Sequence, residues 1–241
     1  GTAGMAPEIG LTYNSQGAIG LLGLGWSLNG LSAITRCDQM IATDGARKPV
    51  TLSAGDQYCL DGQRLILVSG NLGGNAEFRT QIDSFAKIIS YGTNPAKGPD
   101  KWIVYTKSGL TLHYGDTADS NIEAQGINPV VVLTWALASV YDRNQNYYTI
   151  SYTKDSTLGE FVPLQINYTG NANSSPALAP YNAVRFTYET RPDQTQSFVA
   201  GAALSNTKRL TNIQTYVNTN SDGSGGTLAR NFVISYAQST D

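Results

Sequence analysis

The sequence predicts a mainly β protein, an antiparallel shell or sandwich-like domain with many strands and hairpins and little helix. Two observations support this fold class. The 241 residues include 14 tyrosines and 25 glycines, together with many threonines, valines and isoleucines, which is typical of strands separated by frequent turns. Short segments alternate apolar and polar residues with the period of two that half-buried strands show, whereas capped helical segments are scarce.

A glycine-rich segment at residues 20–31 is the feature around which the chain is organised. Its sequence, GLLGLGWSLNGL, alternates glycines with leucines and Trp26, so apolar side chains are carried by a backbone that bends repeatedly. The glycines are Gly20, Gly23, Gly25 and Gly30. The segment does not fit a nucleotide-binding G-x-G-x-x-G loop, because Leu28 stands where the third glycine is needed. We therefore interpret it as a tight corner that carries Trp26 into a core.

Strand candidates lie on both sides of this segment. Residues 11–13 precede it, and residues 50–52 follow a turn that contains glycine and proline. The Asp61-Gly62 dipeptide then predicts a tight hairpin turn, and Arg64 begins the strand after it. The first part of the chain is therefore predicted to be a series of short strands joined by turns.

The rest of the chain continues with hairpins and longer strands. Residues 102–106 and 110–114 flank a Lys-Ser-Gly turn and predict a hairpin. The apolar run at residues 131–141 fits both a buried helix and a strand, and its β-branched start favours a strand. Four later strand candidates each carry an apolar residue two positions before a tyrosine. These pairs are Ile150/Tyr152, Ile166/Tyr168, Phe186/Tyr188 and Ile234/Tyr236.

The length suits one large β domain, and we expect a single domain over residues 1–241. A loop rich in Asn, Ser and Pro at residues 171–180 is the nearest candidate for a domain boundary. Because the chain starts at Gly1 without an initiator methionine, we expect it to be a piece of a longer polypeptide. Charged residues make up 14% and the net charge is −2, so we expect no nucleic-acid partner and no membrane contact.

Candidate catalytic and metal-binding residues are sparse. His113 is the single histidine, so any Ser-His-Asp or Cys-His arrangement depends on it. The cysteines and this histidine lack the paired spacing of a zinc site. The loop from Asn218 to Gly223 is similar to the first half of a calcium loop, but Ala229 stands where a bidentate glutamate is needed. A hairpin turn is therefore favoured over calcium binding there, and we expect no cofactor.

Three segments within residues 1–67 resemble the opening of the SpvB-type domain: GTAGMAPEIGLTYNS, GLLGLGWSLNGLSAITRC and YCLDGQRL. That domain begins the Salmonella virulence plasmid B protein and the B subunits of insecticidal toxin complexes, relatives of the Rhs/YD-repeat proteins. The family's D-x-x-G-N turn is found from Asp142 to Asn146, with Gln145 where glycine is usual. In that family the B and C subunits look like a hollow β-shell that encloses a toxic domain and docks on a pore-forming A subunit.

The resemblance implies a non-enzymatic structural module of a toxin-complex or Rhs-type β-shell that encloses a toxic cargo domain. The rest of the parent chain and other toxin-complex subunits would be its partners, and it would be secreted or on the bacterial cell surface. The Salmonella relative carries an ADP-ribosyltransferase domain with a Glu-x-Glu motif, which this sequence lacks. The alternative is a secreted glycan-binding β-sandwich module with a sugar-stacking platform. The candidate rings are Trp102, Tyr105, Tyr114, Trp135, Tyr147 and Tyr148.

Two further expectations concern the cysteines and the last strand. Cys37 and Cys59 are an even count in a protein expected to be exported, which suggests a disulfide; the alternative is two buried free thiols. The last strand candidate, residues 231–236, has Arg230 as its only nearby charge before Asp241. We expect this strand to leave an unpaired edge in the isolated chain, through which copies associate weakly.

Overall fold

The computed structural model describes residues 4–17 and 19–237, and within them it confirms a mainly β, antiparallel architecture with 55% strand and 2% helix. The elements are β1 (Gly10–Tyr13), β2 (Ile19–Gly20), β3 (Gly23–Leu24), β4 (Trp26–Asn29), β5 (Ala33–Cys37), α1 (Ile41–Asp44), β6 (Gln57–Leu60), β7 (Gln63–Gly70), β8 (Ala76–Thr80), β9 (Lys87–Tyr91), β10 (Lys101–Tyr105), β11 (Thr111–Tyr114), β12 (Asn121–Glu123), β13 (Val132–Tyr141), β14 (Asn146–Asp155), β15 (Glu160–Asn171), β16 (Asn182–Val199), β17 (Ala202–Val217) and β18 (Thr227–Val233).

Eight of these strands close into a ring. The strands from β5 to β11 pair with one another in chain order. The ring closes through β13, which pairs with β11 on one side and with β5 on the other. Tight turns connect the consecutive antiparallel strands of the ring. Asp61 and Gly62, between β6 and β7, have φ values of 49° and 79°, which is the left-handed conformation that a two-residue hairpin turn needs. Gly109, between β10 and β11, has a φ of 88°.

The strand β13 belongs both to the ring and to an open sheet. Its first half pairs with β5 and β12, and its second half pairs with β11 and β14. The prediction of a strand at residues 131–141 is therefore confirmed. Nearly every residue of β13 is buried, so both of its faces are apolar, and this is why its sequence fitted a helix as well as a strand.

From β13 an open antiparallel sheet continues through β14, β15, β16, β17 and β18. Three of the four predicted apolar-x-Tyr pairs lie in β14, β15 and β16. The fourth prediction is wrong. Strand β18 ends at Val233, so Ile234 and Tyr236 lie beyond it. Beyond the strand, the N–H of Ile234 donates to the carbonyl oxygen of Thr211 at 2.8 Å, and the Tyr236 hydroxyl lies within hydrogen-bonding distance of the carbonyl oxygens of Leu21 (3.3 Å) and Leu210 (2.5 Å).

The prediction of a strand at residues 50–52 is also wrong. The backbone N–H groups that would pair with a neighbouring strand instead donate to carboxylates. The N–H of Val50 donates to the carboxylate of Asp38 at 3.0 Å, and the N–H of Thr51 donates to that of Asp56 at 2.9 Å. The segment is therefore an irregular loop fixed by side chains, which is a common use of aspartate in turns.

Four aromatic side chains pack together within the main core: Tyr58, Phe78, Trp102 and Trp135. Tyr58 meets Trp102 and Trp135 edge to face with ring centroids 5.0 and 5.5 Å apart, an arrangement that aromatic pairs favour. Burial raises the pKa of Tyr58 to about 12, so the phenol stays neutral at physiological pH. The ring interior is a packed core.

The Asp142–Asn146 turn forms although it lacks the usual glycine. The Asp142 carboxylate accepts hydrogen bonds from the N–H groups of Asn144 (2.8 Å) and Asn146 (2.9 Å). Gln145 has a φ of 62°, in the left-handed region that glycine occupies at no steric cost. The turn therefore keeps the backbone geometry expected of the glycine form, held by the carboxylate.

The loop at residues 171–180 joins β15 to β16, and these two strands pair directly with one another. It is a connection within one sheet. The single-domain organisation over residues 1–241 stays a prediction, and its end residues, Gly1 and Asp241, lie outside the described part of the chain. Among the helices that the structure describes, none has the length and apolar character needed to cross a membrane.

Candidate functional site

The glycine-rich segment contributes to two small antiparallel pairs outside the fourteen-stranded sheet: its strand β4 pairs with β1, and β2 pairs with β3. Gly23, Gly25 and Gly30 have φ values of 88°, 75° and 91°. A Cβ atom at Gly25 would lie 2.6 Å from the carbonyl oxygen of Asn14, and one at Gly30 would lie 1.9 Å from that of Glu8. Both positions therefore require glycine on steric grounds.

Gly20 differs from these three glycines, because its φ is outside the left-handed region. It lies in β2, and its carbonyl oxygen accepts a hydrogen bond from Arg191 at 3.2 Å. The neighbouring carbonyl of Leu21 accepts from the N–H of Leu210 at 2.9 Å. With the Tyr236 hydroxyl, these contacts join residues 20–31, which we call the clip, to β16, β17 and the segment after β18.

Trp26 does not pack into a core, contrary to its prediction. It is 44% exposed, and its ring lies 5.3 Å from that of Tyr13 on the facing strand. The cause is the isolation of β1 and β4, which pair only with each other among the described strands and so have no sheet behind them. The glycines bend the clip, but they bend it over the surface of the open sheet.

An apolar cleft of about 960 Å³ lies between the clip and the end of the open sheet. Leu11, Leu24 and Trp26 line one side, and Val233 and Ile234 line the other. The sequence did not predict this cleft, because its two sides are far apart in the chain.

Two arginines also line the cleft, and both are neutralised. Arg191 is 1% exposed and donates two hydrogen bonds of 3.0 Å to the carboxylate of Asp193. These hydrogen bonds hold the pKa of Asp193 below its usual range. Arg209 donates to Glu189 at 2.6 Å and lies 4.5 Å from the centre of the Tyr236 ring. The cleft therefore offers apolar surface rather than an unpaired charge.

Cys37 and Cys59 lie on the paired strands β5 and β6 and are joined by a disulfide, with their Cα atoms 5.9 Å apart. Arg64, the third sequence-predicted feature of this region, is buried and donates to Asp44 and to the carbonyl oxygen of Asp38. The cysteine pair therefore lies close to a buried ion pair in the first part of the ring.

The disulfide stays a prediction for the protein in solution. We expect thiol titration of the denatured, unreduced chain to find no free thiol, and two titratable thiols would contradict the bridge. In the chain-entropy model a loop of this size contributes about 3 kcal/mol to the free energy of unfolding. Reduction should therefore lower the midpoint of denaturant unfolding, and the Cys37→Ser/Cys59→Ser variant should show the same loss without reductant.

The imidazole of His113 hydrogen-bonds to a carboxylate, and its partner across the β11–β13 pairing is Ser139. Its Nδ1 atom lies 3.0 Å from Asp116, whose other oxygen accepts from Lys101 at 2.7 Å. Within residues 4–17 and 19–237, no serine hydroxyl hydrogen-bonds to this imidazole, and both cysteines are in the disulfide. The Ser-His-Asp and Cys-His arrangements are therefore not assembled in the described part of the chain.

The loop at residues 218–223 is organised as a turn. The carbonyl oxygens of Gly223 and Gly225 accept hydrogen bonds from the guanidinium of Arg185, and the Asp222 carboxylate accepts from the N–H of Ser224 at 2.8 Å. A cation at Arg185 opposes a second cation at the same carbonyls. No group of three or more His, Cys, Asp or Glu side chains in the described residues has the arrangement of a metal site.

The six candidate rings for sugar stacking do not form one platform. Trp102, Tyr114 and Trp135 are buried, whereas Tyr105 is exposed. Tyr147 packs face to face with Tyr141, with ring centroids 5.2 Å apart. Half of the proposed platform therefore lies in the interior, which removes the main support for a glycan-binding module.

Comparison with known proteins identifies relatives of this fold. Residues 1–208 match the family described as Salmonella virulence plasmid 65kDa B protein, SpvB. The N-terminal domain of the effector protein SpvB from Salmonella typhimurium strain LT2 is similar in structure, with a TM-score of 0.78 at 15% sequence identity, over 99% of this chain and 91% of that chain. No curated protein sequence matches this chain.

Two toxin-complex structures are also similar. The TcdB2-TccC3 structure has a TM-score of 0.77 at 16% identity, over 98% of this chain and 14% of that chain. The Tc holotoxin pore of Photorhabdus luminescens has a TM-score of 0.79 at 16% identity, over 98% of this chain and 13% of that chain. At these identities the similarity establishes the fold, and this chain corresponds to a small part of the toxin-complex chains.

Proposed function

The chain belongs to the SpvB family, and we propose that it is a non-enzymatic wall module of a toxin-complex or Rhs-type β-shell that encloses a toxic cargo domain. The observation that carries the proposal is the fourteen-stranded sheet, shared in fold with the SpvB N-terminal domain and with part of the Tc complexes. Neighbouring strands of such a sheet satisfy one another's backbone hydrogen bonds, so a wall built from them leaves no unpaired backbone groups between paired strands. Enclosure is then the mechanism, with the rest of the parent chain and other subunits as partners.

The surroundings of the aromatic, histidine and charged side chains support this proposal. Large aromatic side chains serve the core, the single histidine is held by Asp116, and the apolar cleft has its charges paired. A secreted or cell-surface setting accords with the Cys37–Cys59 bridge, because disulfides persist in oxidising compartments. No cofactor is needed for enclosure.

A protease-protection experiment tests the wall function. In the parent protein, Gly30→Ala distorts the clip that holds the first strands to the open sheet, so trypsin should digest the enclosed domain several times faster. Gly10→Ala is the matched control, because a Cβ atom there meets nothing within 4 Å and the digestion rate should not change. Equal digestion rates in the two variants and the unmodified protein would contradict a wall role.

The same proposal predicts catalytic silence. Incubation of the chain with NAD and actin, or with a panel of glycans, should give no product, because no serine or threonine hydroxyl of the described residues hydrogen-bonds to His113. Turnover that His113→Ala abolishes would show an enzyme instead. Glycan binding that Tyr105→Ala removes would favour the binding module.

A further inference from the structure

Three loops lie side by side at one end of the ring, because the strands that they connect pair with one another. These loops cover residues 81–86, 106–110 and 142–145. The first loop, between β8 and β9, carries two large apolar side chains in solvent, since Ile82 and Phe85 are 74% and 69% exposed. This end of the ring therefore exposes apolar surface that is separate from the cleft at the clip.

Phe85 has a backbone conformation that does not suit its side chain. Its φ is 58°, in the left-handed region that bulky residues rarely adopt. The N–H of Phe85 donates to Asp83 at 2.7 Å, which holds the loop in this form. Glycine or asparagine would adopt the same conformation with less strain. Because the ring is exposed, core packing does not account for phenylalanine at this position, and a strained, exposed aromatic residue points to a binding role.

Two cationic side chains beside this ring have no carboxylate partner. The Nζ atom of Lys107 lies 5.4 Å from the centre of the Phe85 ring. Arg143 lies against the same turn as Lys107, because a Cβ atom at Gly109 would be 2.0 Å from the Arg143 Nε atom. No ion pair within residues 4–17 and 19–237 includes either cation. Both positive charges are therefore free to bind an anionic ligand.

Phe85 also lines an open depression of about 400 Å³ that is rich in positive charge. Arg79 and Lys87 line it as well, and both pair with the single carboxylate of Glu77, at 2.7 and 3.4 Å. We call the following residues the Phe85 patch: Arg79, Phe85, Lys87, Lys107 and Arg143. The patch carries four cations, although the chain as a whole has a net charge of −2.

We propose that the Phe85 patch is a docking site for an acidic segment of a partner protein. Carboxylates of the segment pair with Lys107 and Arg143, and an apolar side chain of the segment packs on the Phe85 ring. A nucleic acid fits less well, because its phosphates recur closely along the backbone and require a longer row of cations. The proposal does not depend on the wall function, since the patch can bind such a segment whether or not the chain encloses a cargo.

Fluorescence anisotropy of a short labelled peptide tests the proposal. In this peptide glutamates flank a central leucine, and two control peptides replace the glutamates with lysine or the leucine with serine. The unmodified chain should bind the glutamate-leucine peptide more tightly than either control, and added salt should weaken binding because it screens ion pairs. Arg143→Glu should weaken binding about tenfold. Arg230→Glu is the matched control, because it makes the same charge change at an exposed residue of β18 and should leave binding unchanged.

Phe85→Asn separates binding from folding. Asparagine adopts the left-handed conformation more readily, so the midpoint of denaturant unfolding should stay the same or rise. Binding of the glutamate-leucine peptide should nevertheless weaken about tenfold, because the apolar anchor is lost. A lower midpoint together with unchanged binding would show that Phe85 serves the fold and would overturn the proposal.

Three further results would contradict a docking site for an acidic segment. The first is an unmodified chain that does not bind the glutamate-leucine peptide. The second is equal binding of the glutamate and lysine peptides, since the cations of the patch require opposite effects. The third is tighter binding of an oligothymidine strand than of the glutamate-leucine peptide, which would identify a nucleic-acid site instead.

Discussion

Replacing Arg36 with methionine is expected to lower the free energy of unfolding by about 3–5 kcal/mol, the cost of breaking a buried ion pair on one side. The Arg36 side chain is fully buried and forms a 3.0 Å ion pair with Asp56, which is buried as well. Methionine retains much of the volume of arginine but none of its donors. The loss therefore comes from the polar groups that remain without a partner.

Three backbone carbonyl oxygens depend on the same guanidinium. Arg36 donates to Val132 at 2.7 Å, to Ser53 at 2.8 Å and to Lys97 at 3.0 Å. These acceptors belong to β13 and to two separate loops, so one side chain holds three parts of the chain together. A buried acceptor left unpaired costs about 1–3 kcal/mol, which supports the upper part of the expected range.

Denaturant unfolding followed by tryptophan fluorescence measures this loss of stability, because the guanidinium carbon of Arg36 lies 6.0 Å from the centroid of the Trp135 ring. Arg79→Met is the matched control: Arg79 is 40% exposed and pairs with Glu77 at the surface, so the unfolding midpoint should hardly move. Equal midpoints for the Arg36 and Arg79 variants would contradict the role of the buried network.

The parts of this fold that sequence analysis could predict depend on near neighbours in the chain. The Asp61-Gly62 turn and the hairpin β10–β11 follow from residues within one short window. The fold class follows from composition and alternation. In each case the relevant contacts are local, so the sequence pattern carries them directly.

The ring closure could not be predicted in this way. Ala33 of β5 pairs with Ala136 of β13, a residue far from it in the sequence, and no local pattern specifies that partner. The ion pair of Arg36 with Asp56 could not be predicted for a related reason, because its partners lie 20 positions apart and no local pattern joins them. A buried arginine is indicated by the strand around it, since Ile34 and Arg36 lie on the same face of β5 and both are buried.

The cleft was missed because its sides come from the two ends of the chain. A usable signal was the Arg-Pro-Asp sequence at residues 191–193, where proline interrupts a long alternating strand. The pairing of β16 with β17 shifts register between Thr190 and Thr195, and the buried Arg191 receives the clip at this irregularity. The burial predicted for Trp26 was wrong because glycine content indicates that the backbone bends but gives no direction.

The stability of the clip should be sensitive to a single methyl group added at Gly30. Gly30→Ala is expected to lower the free energy of unfolding by about 3 kcal/mol, since a left-handed alanine costs about 1–2 kcal/mol and overpacking adds about 1–3 kcal/mol. The Cβ atom would lie 1.9 Å from the carbonyl oxygen of Glu8, and a backbone atom cannot move aside as a side chain can.

Gly10→Ala separates this steric effect from a general loss of glycine. Gly10 pairs with Asn29, directly beside Gly30, but a Cβ atom there meets nothing within 4 Å and its φ lies outside the left-handed region. We expect Gly10→Ala to be neutral or slightly stabilising, because alanine restricts the unfolded chain. Acrylamide quenching of Trp26 should increase in the Gly30 variant as the clip separates from the sheet, and should stay unchanged in the Gly10 variant. Equal stability and equal quenching in the two variants would mean that the close approach of Gly30 to Glu8 does not hold the clip in place.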